Sequence, residues 1–198
     1  MLTEEESEIL GIMFGDGCLS RTERSVQITI TGNKFDDEIY LLEHVRPLFH
    51  TVFGLEMTSR YRSGENTMDL YRYSKGVALT LHSWGMPIGL KKLENLTPKL
   101  AVKGRAFIRG VFDTDGSVYR KYGSYAQIQF KTVSKNLMSF IRDKLTRLDF
   151  HPTRIRPDET KHRSLLCRQR EVDTFFRVVE PTNPKHLERL KRIRLSFT

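Results

Sequence analysis

The spacing of apolar residues switches along the chain between the helical period of about 3.6 residues and the strand period of 2. Helical spacing follows residue 34 in the apolar residues Phe35, Ile39, Leu42 and Val45. Strand alternation precedes it: the residues expected to face the core are Val26, Ile28 and Ile30, and those expected to face outward are Gln27, Thr29 and Thr31. Helices and strands are therefore expected in alternation, beginning with a helix whose capping box is Thr3 with Glu6.

The first half of the chain is predicted to run helix, strand, strand, helix, strand, strand, helix. Its helices are expected near 3–15, 34–49 and 75–84, and its strands near 18–22, 25–31, 56–62 and 67–73. The second half has the same predicted order, with helices near 100–114, 134–148 and 171–179 and strands near 117–122, 125–132, 152–157 and 162–169. In its second strand, Ala126, Ile128 and Phe130 are expected to face the core, and Gln127, Gln129 and Lys131 to face outward.

Three stretches of the first half recur in the second in the same order, which predicts an internal duplication. The segment 27–30 (QITI) matches 127–130 (QIQF) at an offset of 100, and GIMFGDG (11–17) matches GVFDTDG (110–116) at an offset of 99. Pro87-x-x-x-Lys91-x-Leu93-Glu94 matches the segment 181–188 at an offset of 94. We therefore predict an α+β protein of two pseudo-symmetric αββαββα repeats, 1–97 and 98–198.

Small residues four positions apart mark the first helix of each repeat. Gly11 and Gly15 share a helix face in the first repeat, and Gly110 and Thr114 occupy the matching positions in the second. Because such residues let two helix backbones approach closely, they predict a seam between the two helices on a pseudo-two-fold axis. The alternative for each helix alone is packing on its own sheet, with the following glycine as a C-cap.

The predicted seam would bring together the aspartates that end the two helices, Asp16 and Asp115. Their charges would repel each other at the negative ends of two helix dipoles, which raises at least one carboxyl pKa or destabilises the fold. A divalent cation would relieve both effects and could activate a water molecule. Oxygen ligands without a His or Cys nearby in sequence favour Mg²⁺ over zinc.

ILGIMFGDG (9–17) and IRGVFDTDG (108–116) resemble the two LAGLIDADG motifs of homing endonucleases, and the intervening WGMPIGLKKL is similar to the segment that links the two copies in that family. The resemblance covers essentially the whole chain. It implies a monomeric saddle of antiparallel sheets with the two motif helices packed at its centre. It also implies Mg²⁺-dependent hydrolysis of both strands of a long pseudo-palindromic DNA site with a staggered cut, with Mn²⁺ or Ca²⁺ as substitutes for binding.

The resemblance assigns roles to residues around the two motifs. The last acidic residue of each motif holds the metal, which falls on Asp16 and Asp115, with Gly15 and Thr114 beside them in the metal site. The first acidic position is Phe14 in one copy and Asp113 in the other, and this position is expected to be structural.

A basic residue after the last helix of each repeat falls on Lys91 and Lys185 as catalytic candidates, with Lys92 as the substitute for Lys91; the alternative is a solvated surface lysine. Members of the family also place a Gln or Asn at the end of the second strand, but 31–33 (TGN) and 132–134 (TVS) allow no assignment.

An excess of basic residues favours a polyanionic partner. The net charge is +9, whereas four glutamates lie in the first eight residues, so positive charge concentrates on the predicted strands and their turns. The candidate DNA-binding residues are Arg21, Arg24, Gln27, Thr29, Thr31, Arg60, Arg62, Tyr71, Tyr73, Arg120, Lys121, Gln127, Gln129, Lys131, Arg154, Arg156, Arg163, Arg168 and Arg170, the last three on the final hairpin. Solvated edge charges are the alternative for each arginine, and strand packing for the two tyrosines.

Composition predicts an intracellular protein, cytoplasmic or organellar in a eukaryotic host. No apolar run reaches the eighteen or so residues of a membrane-spanning helix, and the acidic N-terminus is unlike a secretory signal. The two cysteines, Cys18 and Cys167, have no zinc-ligand spacing and suit a reducing compartment.

Two other functions are compatible with the same fold. An RNA maturase that assists intron splicing would use the same basic surface with intron RNA as partner, but would not need both aspartates. A non-catalytic DNA-binding regulator is expected to carry a further helix-turn-helix domain, for which 198 residues leave no room. An intein is set aside, because no terminal nucleophile or His-Asn ending is present.

Overall fold

The computed structural model describes residues 1–91 and 96–195. The first half contains α1 (Glu4–Phe14), β1 (Gly17–Arg21), β2 (Val26–Asn33), a π-helical segment (Tyr40–Val45) continuing into α2 (Arg46–Phe53), β3 (Thr58–Tyr61), β4 (Thr67–Tyr73) and α3 (Lys75–Trp84). The second half contains α4 (Gly104–Asp115), β5 (Gly116–Tyr122), β6 (Tyr125–Thr132), α5 (Lys135–Arg147), β7 (Arg156–Asp158), β8 (Lys161–Leu166), α6 (Gln169–Val178) and α7 (Pro184–Leu195). None of the helices in these ranges is long and apolar enough to cross a lipid bilayer.

Each half forms one antiparallel sheet of four strands. The strand order is β1-β2-β4-β3 in the first and β5-β6-β8-β7 in the second, so the same topology occurs twice. The inward faces follow the predicted alternation, since Ile28 and Ile30 of β2 and Ile128 and Phe130 of β6 are buried. The predicted α+β class and its duplicated antiparallel sheets are therefore confirmed.

Helix α1 packs directly on α4 along the seam predicted from the small residues. A Cβ atom on Gly11 would lie 2.4 Å from the Phe107 carbonyl oxygen, and one on Gly110 would lie 2.3 Å from the Glu8 carbonyl oxygen. No side chain fits at these distances, so the close approach of the two backbones depends on glycine. Apolar residues such as Phe14 pack in the seam, and the Phe14 ring lies edge-on to that of Phe107 with 5.9 Å between the ring centroids.

Local hydrogen bonds set where the helices begin. Thr3 and Glu6 form the predicted capping box of α1. Ser74 and Ser134 cap α3 and α5, each accepting a backbone N–H three residues further on. These caps explain why the predicted starts of all three helices lie within a residue or two of the observed ones.

The predicted helix 34–49 is wrong over its first turn. Residues 34–37 form turns, and Phe35 and Ile39 are 73% and 58% exposed instead of facing the core. The Asn33 side chain accepts the Phe35 and Asp36 N–H groups, while the Asp37 carboxylate accepts the Asn33 N–H at 2.9 Å. Side-chain bonds of this kind compete with helical hydrogen bonding, which explains the delayed start.

The final hairpin is shorter than predicted. Strand β7 begins only at Arg156, and β8 ends at Leu166. Arg168 and Arg170, predicted on that hairpin, instead lie at the start of α6, where Arg168 pairs with Glu171 at 3.3 Å. After α6 the chain forms a further helix, α7, which is not among the predicted helices.

Candidate functional site

The carboxyl ends of α1 and α4 place Asp16 and Asp115 together at the end of the seam. Asp16 follows Gly15, the C-cap of α1, and Asp115 is the last residue of α4. Both aspartates are partly exposed, so solvent and ligands can reach them. The chain then turns directly into β1 and β5 through Gly17 and Gly116, where a Cβ would lie 2.5 Å from Met13 Cα and 2.2 Å from a Phe112 ring carbon.

The two carboxylates are electrostatically coupled. Partial burial, and next the charge of Asp115, raise the pKa of Asp16 from 3.8 to about 7. Burial also raises the pKa of Asp115, against the opposing charges of Lys91, Lys161 and Lys185. Two neighbouring carboxyl groups whose pKa values are both raised are the arrangement that a bound cation relieves.

Lys91 reaches the end of α1 from a segment that runs beside β1. The segment is held by a parallel bridge between Leu19 and Ile88 and by a 2.7 Å bond from the Gly89 N–H to the Leu19 carbonyl. Lys91 Nζ donates to the carbonyl oxygens of Phe14 at 3.2 Å and Gly15 at 2.5 Å. These are carbonyls at a helix C-terminus, where a cation is favoured. Burial lowers the pKa of Lys91, although both aspartates act in the opposite direction.

Lys185 lies at the start of α7 and also faces the carboxylate pair. Its charge lowers the pKa of both Asp16 and Asp115, which places it near the two groups. Its Nζ donates to Asp37 Oδ1 at 2.7 Å, and each of these two side chains is only 11% exposed. Both repeat-matched lysines therefore lie at the predicted site, while Lys92 lies outside the described residues.

Asp37 and Asn183 were not predicted as part of this site. The Asn183 side chain donates to Asp37 Oδ1 at 2.8 Å and to the Asp113 carbonyl at 3.0 Å. Burial alone would raise the pKa of Asp37, but Lys185 and Asn183 outweigh that effect, and the pKa lies below its ordinary value. The repeat gave no signal for this acid, because the residue 100 positions later is Leu137.

The motif positions before the aspartates are structural. Phe14 is buried in the seam, as described above. Asp113 is also buried, and its Oδ2 accepts the backbone N–H and hydroxyl of Thr182 at 2.9 and 2.7 Å. Burial raises the pKa of Asp113 to about 6. Asp113 therefore fixes the loop before α7 that carries Asn183 and Lys185.

The donor set at the seam fits a hard divalent cation. Within residues 1–91 and 96–195, no group of three His, Cys, Asp or Glu side chains could hold a metal. A cation bound by Asp16 and Asp115 would therefore take its other ligands from main-chain oxygen, water and phosphate, which is the usual coordination of Mg²⁺. The Gly15 carbonyl accepts from Lys91 Nζ, and the Thr114 hydroxyl donates to the carbonyls of Gly110 and Val111, so both predicted residues already have a polar atom engaged beside the aspartates.

The outward face of the first sheet is organised around Asp69, a second acid that sequence alone did not reveal. Its fully buried carboxylate accepts from Arg60 Nη2 at 2.8 Å, from Arg62 Nε and Nη2 at 3.0 and 2.9 Å, and from the Thr31 hydroxyl at 2.8 Å. Arg60 also stacks over the Tyr71 ring at 4.9 Å. Arg60 and Arg62 therefore share this face, with their charges partly offset by Asp69.

The outward face of the second sheet forms a strongly basic groove of about 530 Å³. Its basic lining residues are Arg120, Lys121, Arg154, Arg156 and Arg163. Gln127 lies in the groove but is only 4% exposed, because neighbouring side chains cover it and the Tyr119 hydroxyl donates to its side-chain oxygen at 2.8 Å. Lys131 pairs with Asp158 at 2.9 Å.

The remaining DNA-binding candidates lie on or beside the same faces. Gln27 pairs across the sheet with Tyr73, and Thr29 with Tyr71, so these four share the outward face of the first sheet. Gln129 accepts a 3.4 Å bond from Ser117 on the second. Arg21 and Arg24 line a separate groove at the β1–β2 turn. Of the nineteen candidates, Arg168 and Arg170 are thus displaced from the predicted strand surface.

Comparisons with known proteins agree with this fold. The family model of the LAGLIDADG-like domain matches residues 103–180. No curated protein matches the chain in sequence.

Several solved structures share the whole fold at low sequence identity. A structure of mesophilic variants of the homing endonuclease I-DmoI is 16% identical, with 89% of this chain and 94% of that one covered and a TM-score of 0.65. The homing endonuclease I-WcaI bound to its DNA recognition sequence is 14% identical, with 96% and 87% covered and a TM-score of 0.63. Full-length DUF199/WhiA from Thermatoga maritima is 15% identical, with 100% and 62% covered and a TM-score of 0.62. Residues 103–180 therefore match the LAGLIDADG-like domain in sequence, and the whole chain shares its fold with the homing endonucleases I-DmoI and I-WcaI.

Proposed function

We propose that the chain is a site-specific DNA endonuclease that makes a staggered double-strand break in a long pseudo-palindromic site. The observation that supports this proposal most strongly is the pair of coupled carboxylates at the seam, with a lysine from each repeat beside them. A DNA-binding protein that did not cut would gain nothing from holding this pair at a cost to its stability. One chain supplies both halves of the site, so it acts as a monomer.

The proposed cofactor is Mg²⁺, bound by Asp16 and Asp115. Structures of I-DmoI in complex with DNA contain Ca or Mn, and a variant was solved with its target DNA in the presence of Mg. When bound, the cation would supply Lewis acidity and lower the pKa of a water molecule. Asp16 and Asp115 would be the side chains that hold it at the end of the seam.

Lys91 and Lys185 would stabilise the charge that develops on each phosphate. Lys91 has two of its three N–H groups committed to helix carbonyls, which leaves one for a phosphate oxygen or a water. Lys185 has one N–H committed to Asp37. Because both ammonium groups are held before DNA arrives, little reorganisation is needed during the reaction.

The two outward sheet faces would bind the DNA halves. Arginines and lysines of the groove in the second sheet suit phosphates and guanine edges, and the partly exposed Gln27 and Gln129 suit adenine edges. In the first sheet, Asp69 holds Arg60 and Arg62 in fixed orientations, as a reader of base edges requires.

The test is cleavage of a randomised duplex library with Mg²⁺, followed by sequencing of the cut ends. We expect one long site with staggered ends, and loss of double-strand cleavage in Asp16→Asn and Asp115→Asn. Binding of the selected site should change less than about threefold in either variant, because a metal-site carboxylate adds little to the phosphate contacts. Asp36→Asn, an exposed change of the same charge, is the control. Retained cleavage by both active-site variants would refute the metal assignment.

The same protein preparation distinguishes an endonuclease from an RNA maturase. A maturase would accelerate splicing of an intron RNA, and both aspartate variants would retain that activity. Absence of any cut in the library, combined with such splicing, would replace the endonuclease proposal.

A further inference from the structure

The two lysines beside the carboxylate pair are held by different kinds of partner. Within residues 1–91 and 96–195, Lys91 donates to main-chain carbonyls alone, those of Phe14 and Gly15 at the end of α1. Lys185 donates to a carboxylate, Asp37 Oδ1, at 2.7 Å. The two repeats therefore differ in the groups that hold the ammonium groups of Lys91 and Lys185.

Asp37 joins the two repeats at this point. It belongs to the first repeat, in the turn after β2, whereas its partners Lys185 and Asn183 belong to the second. Its other oxygen accepts the Asn33 N–H at 2.9 Å, so both carboxylate oxygens are bonded. A Cβ on the neighbouring Gly32 would lie 2.9 Å from Asp37 Cβ, which shows how closely the backbone of β2 packs against this side chain.

Among the described residues of the second repeat, no acid occupies the position that Asp37 has in the first. The position that matches Asp37 is Leu137, which is buried in the core. Replacing the Asp37 carboxylate would therefore remove a partner of Lys185 and leave the bonds of Lys91 in place.

We propose that Asp37 is a positioning residue that holds Lys185 of the opposite repeat beside the carboxylate pair, so that only one of the two DNA strands depends on Asp37 for its cleavage. This inference rests on the proposed endonuclease function. A lysine side chain has several rotatable bonds, and its ammonium group stays at one point only when a partner fixes it. An ion pair between two side chains that are each 11% exposed does so with a charge-assisted hydrogen bond. Lys91 needs no such partner, because helix carbonyls hold it.

The principal variant is Asp37→Asn, which preserves the shape of the side chain but loses the charge that attracts Lys185. Its single amide oxygen can accept from Asn183 or from Asn33, but not from both. Single-turnover cleavage is measured on the target duplex with each strand labelled separately. We expect the rate for one strand to fall by about tenfold or more, since misplacement of a catalytic group by about 1 Å costs on the order of a hundredfold. The rate for the other strand should stay within about twofold, and nicked duplex should accumulate.

Two further variants make this result specific. Lys185→Met should slow the same strand, and the double variant Asp37→Asn/Lys185→Met should be no slower than Lys185→Met alone, because the two residues act as one unit. Asp36→Asn should cut both strands at the parent rate. If the melting temperature shows that Asp37→Asn folds poorly, the proposal is tested by whether Lys185→Met slows cleavage of one strand more than the other. Equal slowing of both strands by Asp37→Asn or Lys185→Met, or additive effects in the double variant, would overturn the proposal.

A second measurement does not require cleavage. Reductive methylation of the metal-free protein, followed by mass spectrometry, reports the accessibility of each lysine amine. We expect Lys185 to react several-fold faster in Asp37→Asn than in the parent protein, with the exposed Lys191 as internal reference. An unchanged Lys185 rate would overturn the positioning role. A parent protein that cuts no DNA but shows the expected methylation difference would refute the endonuclease function and leave the Asp37–Lys185 contact established.

Discussion

Asp16 and Asp115 make the metal-free site unfavourable at neutral pH. Each lies at the negative end of a helix dipole, each is partly buried, and the pKa of Asp16 is raised to about 7 by burial and by Asp115. Because the folded-state pKa of Asp16 lies above its ordinary value of 3.8, the folded state binds a proton more tightly than the unfolded chain does. The contribution of this group to stability is therefore fully present below 3.8 and is lost as the pH rises towards about 7.

A divalent cation should replace that proton. We expect Mg²⁺ to raise the melting temperature, and to do so more at about pH 8 than at about pH 5, where the proton competes. In Asp16→Asn the melting temperature without metal should vary less between these two pH values, and Mg²⁺ should have little effect. Differential scanning calorimetry measures both quantities. An Mg²⁺ effect of equal size in the parent and in Asp16→Asn would contradict the assignment.

Helix α1 against α4 is the element pair on which the site depends. The two carboxylates meet because Gly11 and Gly110 let the helix backbones touch, so a change at the seam moves both halves of the site. The elements that bring the lysines are different: an extended segment beside β1 for Lys91 and the start of α7 for Lys185.

Gly11→Ala tests the seam. The added Cβ would meet backbone atoms at 2.4 and 2.9 Å, which cannot move without separating the helices. We expect a loss of about 1–3 kcal/mol or more in the free energy of unfolding. Gly76→Ala in α3 is the matched control, because a Cβ added there would have no neighbouring atom within 4 Å; it should be neutral or stabilise by about 0.4–1 kcal/mol. Urea unfolding measures both, and a loss no larger for Gly11→Ala than for Gly76→Ala would show that the seam is not close-packed.

At the scale of the whole molecule, the outward faces of the two sheets differ in how far acidic side chains offset their positive charge. Arg60 and Arg62 of the first sheet are paired with Asp69, whereas Arg154 and Arg156 of the second have no acidic partner within the described residues. The second repeat should therefore contribute more of the salt-dependent affinity for DNA.

Salt titrations of binding test this inequality. The slope of log K against log[salt] changes by about 0.9 for each phosphate contact in duplex DNA. Arg154→Gln/Arg156→Gln should therefore reduce the slope by about 2, whereas Arg60→Gln/Arg62→Gln should reduce it by less than about 1, because Asp69 already offsets those charges. Equal changes in the two double variants would contradict the asymmetry.

Sequence patterns predicted what is repeated and local in this molecule. The duplicated order of elements, the small residues of the seam and the helix caps are short-range signals, and the first two recur at an offset near 100. Asp37 could not be predicted, because its partners Lys185 and Asn183 lie far along the chain. Asp69 has nearby partners in Arg60 and Arg62, but it also accepts from Thr31 of β2, and the strand alternation did not indicate that its carboxylate is buried. The predicted first turn of helix 34–49 is wrong because side-chain hydrogen bonds of Asn33 and Asp37 take the place of helical hydrogen bonds there, although the apolar spacing favours a helix.

The most direct test of the central claim is anomalous diffraction from crystals of the protein with its cleaved or uncleaved target DNA and Mn²⁺. We predict an anomalous peak at the end of the seam, coordinated by carboxylate oxygens of both Asp16 and Asp115 and by a DNA phosphate. Metal peaks only elsewhere on the protein, or a peak that neither aspartate contacts, would contradict the account.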